Sequence, residues 1–123
     1  MLQAMTGGHG GAIVVLVTAP QDKAEALARG LVEQRVAACV NLVGPIRSIY
    51  RWEGRVTEDP ETLLVVKSTA DRYGELETAV LALHPYSTPE ILALDVAHGS
   101  APGPASRSPR CSYLRRSMRV PPS

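Results

Sequence analysis

The chain has 123 residues, with 13 Lys and Arg against 12 Asp and Glu and a formal net charge of +1. This length suits one domain, and 45% apolar residues exclude a chain disordered throughout. The longest apolar run, Ala12 to Val17, is far short of the roughly 18 to 20 residues of a membrane-spanning helix.

Residues 1–11 include Gly7, Gly8, Gly10 and Gly11 and read as a flexible leader. They have neither the basic nor the apolar region of a secretory signal, so the expected location is the cytoplasm. Ile13-Val14-Val15-Leu16-Val17 has the continuous β-branched pattern of a strand buried on both faces and belongs at the centre of a sheet. Pro20, the acids Asp22 and Glu25, and the spacing of Ala24, Leu27, Ala28, Leu31 and Val32 predict a first helix over 20–35. Ala37 to Val43 is a second strand, broken at Gly44-Pro45 and resumed from Ile46 to Trp52. Ile46, Ser48, Tyr50 and Trp52 share one of its faces. Glu53-Gly54 marks a hairpin turn. After an acidic stretch with Pro60, Leu63 to Lys67 is another buried strand. Asp71 is placed to cap a second helix carrying Tyr73, Leu76, Val80 and Leu83, which stops at His84 because Pro85 disfavours helical backbone before it. Ile91 to Val96 is the last strand. The expected fold is α+β: βαββαβ, an antiparallel sheet with its helices on one face, the ferredoxin-like arrangement.

The charge is unevenly spread. Residues 1–99 carry eight basic and twelve acidic side chains, whereas residues 100–123 carry five arginines, no acid and five of the ten prolines. This basic Pro/Ser/Arg-rich tail reads as solvated chain, with at most a short terminal helix at Tyr113-Leu114. The domain is therefore expected over 12–99. Its apolar content is dominated by fifteen Ala and thirteen Val, with no Phe. Such short side chains bury little area each, which favours further burial by oligomerisation.

The nucleotide-loop, zincin, redox and hydrolase signatures are absent, so no catalytic set is expected. His84 sits where a helix carboxyl end favours an imidazolium, where it can bond a terminal carbonyl, or where a neutral ring can ligate a metal. Cys39 reads as a small buried hydrophobe or a soft metal ligand. Cys111 reads as an incidental thiol beside Arg110, and two cysteines make no disulfide framework. Lys67 and Glu90 are placed to pair across the sheet or to bound a polar cleft. Tyr50 and Trp52 alternate with Arg47, Arg51 and Arg55, but a base-stacking platform needs aromatics on the two central strands, which have none. Burial against another subunit is the better reading, and neither a nucleic acid nor a membrane is an expected partner.

Four segments carry a family resemblance: Val14-Val15-Leu16-Val17-Thr18-Ala19-Pro20, Arg35-Val36-Ala37-Ala38-Cys39-Val40-Asn41, Ser48-Ile49-Tyr50-Arg51-Trp52-Glu53-Gly54 and His84-Pro85-Tyr86-Ser87-Thr88-Pro89-Glu90-Ile91. In order and spacing, over roughly 13–99, the chain resembles the CutA divalent-cation tolerance proteins. The resemblance implies a ferredoxin-like subunit with an extended hairpin, assembled as a homotrimer with Tyr50 and Trp52 at its interfaces. It implies a role in tolerance to copper and other divalent cations, with Cu²⁺ the ion to expect and no cofactor needed for folding. Family members with a proposed copper site use a Cys in the first strand and a His-His pair ending the second helix. Val17, Leu83 and His84 stand there in this chain. His84 and Cys39 are thus the expected metal-binding residues, and Lys67, Tyr86 and Glu90 join them in an expected cleft between subunits. The alternative is a trimeric small-ligand-binding or adaptor module, akin to PII-like regulators, with no metal role.

Overall fold

In the computed structural model, which describes residues 11–100, the chain runs β1 (Ala12–Ala19), α1 (Gln21–Glu33), β2 (Cys39–Trp52), β3 (Arg55–Thr69), α2 (Tyr73–Leu83) and β4 (Ile91–Asp95). One turn of 3-10 helix, Ala70–Arg72, leads into α2. The strands form one antiparallel sheet in the order β2-β3-β1-β4, the ferredoxin-like topology. The apolar runs expected at the centre, Ile13–Val17 and Leu63–Lys67, lie on its two central strands. The leader before Gly11 and the tail beyond Ser100, with Cys111 and Tyr113-Leu114, lie outside the described residues.

Period two along β1 separates two faces. Ile13, Val15, Val17 and Ala19 are buried and, with Leu64 and Val66 opposite, form a core with Ala24, Leu27, Ala28 and Leu31 of α1 and Leu76, Ala79 and Val80 of α2. This core is wholly aliphatic, and three leucines, Leu31, Leu64 and Leu76, are its largest fully buried side chains. The other face carries Val14 and Leu16 of β1, Leu63 and Val65 of β3, Val43 of β2, and Leu92 and Leu94 of β4, matched by register. No described helix covers it, and Leu92 and Leu94 remain 52% and 54% exposed.

Local chemistry sets the boundaries. Pro20 stands just outside α1 with extended backbone, and its carbonyl accepts the N–H groups of Lys23 and Ala24. α1 closes as a Schellman motif: Arg35 takes a left-handed φ of 61°, its N–H bonds the Val32 carbonyl, and the Val36 N–H bonds that of Leu31. Leu31 and Val36 are both buried, supplying the motif's apolar contact. The Arg72 guanidinium clasps the Arg35 carbonyl through Nε (3.3 Å) and Nη2 (2.9 Å).

Three expectations change. Asp71 does not cap α2: it lies in the 3-10 turn and accepts the Thr69 hydroxyl at 2.6 Å, and Arg72 holds the cap position without a side-chain capping bond. β2 is not interrupted at Gly44-Pro45, where the peptide is cis. The strand continues through a bulge, shown by the register shift between Val43↔Leu63 and Ile46↔Glu61. Gly44 is needed there, because a Cβ would lie 3.0 Å from Thr62 Oγ1 and 3.4 Å from its Cα. The acidic stretch around Pro60 is strand as well, since β3 starts at Arg55. From Arg55 to Glu61 it pairs with β2 alone, so Pro60 occupies an edge, where a missing donor is tolerated. The expected turn at Glu53-Gly54 is present, with φ of 50° and 77° as a two-residue type I′ hairpin requires. The result is a hairpin reaching beyond the sheet's centre.

Candidate functional site

α2 ends where the sequence demands. His84 is extended (φ −77°, ψ 140°), as a residue before proline must be, and its backbone N–H still bonds the Val80 carbonyl at 2.8 Å. The imidazole, 7% exposed, turns away from its own helix. Its Nε2 lies 2.8 Å from the Thr18 carbonyl of β1 and its Nδ1 3.0 Å from the Tyr86 N–H. An amide can only donate and a carbonyl only accept, so the neutral ring with its proton on Nε2 satisfies both bonds. Segment 85–90 is thereby pinned to the end of β1, and the His84 and Tyr86 rings lie 4.8 Å apart.

Tyr86 then reaches across to β3, where its hydroxyl donates to Glu61 Oε2 at 3.0 Å. Burial first, and the bond to Glu61 second, push the Tyr86 phenol up to about 12. Glu61 is only 6% exposed, and no described group donates to its other oxygen. On the same face of the hairpin, opposite Ser48, Asp59 accepts the Tyr50 hydroxyl. This bond raises the Tyr50 pKa. Outward from it, Arg47 and Glu58 form a bidentate pair (2.8 and 2.9 Å) on the other face, and the guanidinium lowers the Glu58 pKa.

Between the hairpin and segment 85–90 lies a cleft of about 570 Å³, lined by Thr18, Tyr50, Trp52, Asp59, Glu61, Tyr86, Ser87, Thr88 and Glu90. Three carboxylates and three aromatic rings face it, and among the described residues no basic side chain does. Tyr86 and Glu90 line this cleft of the single chain, together with Tyr50 and Trp52; the cleft expected for them is one between subunits. Lys67 is elsewhere, opposite Cys39 on β2 and Val14 on β1. It makes no ion pair with Glu90, which stands beside the far end of β1, just before the Ile91↔Val17 pair. Cys39 shares Lys67's end, with its thiol 3.9 Å from Asn41 Oδ1. Val14 and Thr18 mark the two ends and are four residues, about 13 Å, apart along the strand. One chain therefore does not bring Cys39 to His84. Among the described residues no three His, Cys, Asp or Glu side chains converge closely enough to hold a metal ion.

Asp59 and Glu61 are site residues within the acidic stretch around Pro60, for which the sequence pattern named no element or role. The available signal was alternation: Thr57, Asp59 and Glu61 have the strand period, matching Ile46, Ser48 and Tyr50 on the partner strand.

Comparison with known proteins agrees with this architecture. Residues 13–102 match the family model described as CutA1 divalent ion tolerance protein. The divalent-cation tolerance protein CutA of Thermus thermophilus is 52% identical over 88 residues, 71% of this chain and 85% of that protein. The human protein CutA is 42% identical over 94 residues, 76% of this chain. The chain spans about half the length of the human and mouse relatives. Among solved structures, the Thermus thermophilus protein superimposes with a TM-score of 0.70 at 51% identity, covering 72% of this chain and 87% of that one. CutA1 from Oryza sativa gives 0.77 at 36% identity, covering 88% and 94%. The chain belongs to the CutA1 divalent ion tolerance family.

Proposed function

We propose that this chain acts as a non-catalytic homotrimer in divalent-cation tolerance and meets cations at the acidic cleft. The observation that carries the reading is the charge of that cleft: Asp59, Glu61 and Glu90 line it without one described basic side chain. A negative, partly enclosed surface concentrates cations and repels anions, which disfavours the small anion that a PII-like ligand module would take. Tight copper capture by His84 and Cys39 of one chain does not fit. Both His84 nitrogens are engaged by backbone groups, Cys39 lies at the other end of the sheet, and firm binding of copper needs several donors in fixed geometry. The trimer is supported by the apolar sheet face that no described helix covers, from Val14 and Leu16 to Leu92 and Leu94. Such a face is stabilised by burial, roughly 25 cal/mol per Å².

The test is titration of the metal-stripped protein with Cu²⁺, Zn²⁺ and Ni²⁺ beside a light-scattering mass. The expected mass is three times the 13.1 kDa of the chain, lost on Leu94→Lys. Binding is expected to weaken at least tenfold in the Asp59→Asn, Glu90→Gln double variant and to be unchanged in Cys39→Ser. A monomer, or metal binding indifferent to the cleft carboxylates, would overturn the reading.

A further inference from the structure

We draw no further inference here: the strongest candidate, the groove of about 440 Å³ between the outer side of α1 and the edge of β2, lined by Ala28, Val32, Val40 and Leu42 with Glu25, Arg29 and Glu33 at its rim, carries nothing because no feature among the described residues shows what covers it.

Discussion

The imidazole Nε2 of His84 lies 2.8 Å from the backbone oxygen of Thr18, a contact joining the end of α2 to the end of β1 across 66 positions of sequence. With Nδ1 accepting from the Tyr86 N–H, this ring is the clamp that holds segment 85–90 over the cleft. His84→Ala removes both bonds in a buried setting, and each buried group left unpaired costs about 1 to 3 kcal/mol. The variant is expected to lose about 2 kcal/mol of stability in denaturant titration. Unchanged stability would mean the clamp contributes nothing to holding the segment.

The neutral phenol of Tyr86 makes a second prediction. Its pKa stands at about 12 in the folded protein against an ordinary 10.0. A raised folded pKa means that stabilisation is fully present below pH 10 and is lost as pH rises through about 12. An absorbance titration should therefore show one phenol ionising last, absent in Tyr86→Phe, and denaturant midpoints should fall less steeply above about pH 10 in that variant. All phenols ionising together near pH 10 would exclude the Tyr86–Glu61 bond.

The parts of this fold legible in the sequence were those fixed by local rules. The β-branched runs named the two central strands, Glu53-Gly54 named the hairpin, and Pro85 named the end of α2, because each depends on a few adjacent dihedrals. The acidic stretch around Pro60 misled because proline and carboxylates disfavour strands on average. Here pairing with β2 along a free edge overrides that preference. The same override hid Asp59, which Tyr50 bonds across the hairpin, and Glu61, which Tyr86 reaches from 25 positions away. Asp71 was a sound cap on propensity alone, but Thr69 takes its carboxylate. His84 was visible as a residue of interest, yet nothing local could reveal Thr18 as its partner.

Arg35 supplies a third prediction. Its φ of 61° costs a side-chain-bearing residue roughly 1 kcal/mol or more relative to glycine. The stabilising contact in this turn is Arg72 to the Arg35 carbonyl, a backbone atom that any substitution retains. Arg35→Gly is therefore expected to stabilise the protein by about 0.5 to 1 kcal/mol, whereas Arg72→Ala should destabilise it. A loss of stability in Arg35→Gly, measured by chemical denaturation, would place a needed interaction in the Arg35 side chain.

Gly30 and Gly44 should respond oppositely to alanine. Gly30 lies inside α1, where glycine costs about 1 kcal/mol relative to alanine. The added Cβ would come within 2.9 Å of Leu83 Cδ1, but that atom ends a flexible side chain which is 42% exposed and free to rotate outward. The helix gain wins, and Gly30→Ala is expected to stabilise by about 0.5 kcal/mol. At Gly44 the added carbon meets both Thr62 Oγ1 at 3.0 Å and the Thr62 Cα at 3.4 Å. Part of that obstacle is backbone in the paired strand, which moves only by disturbing the bulge, so Gly44→Ala is expected to cost about 1 to 2 kcal/mol. Denaturant midpoints of the two variants decide the matter. A cost above about 1 kcal/mol at Gly30 would show that Leu83 is held rigidly between the helices, and a neutral Gly44→Ala would show that the bulge yields without disturbing the hairpin that carries Asp59 and Glu61.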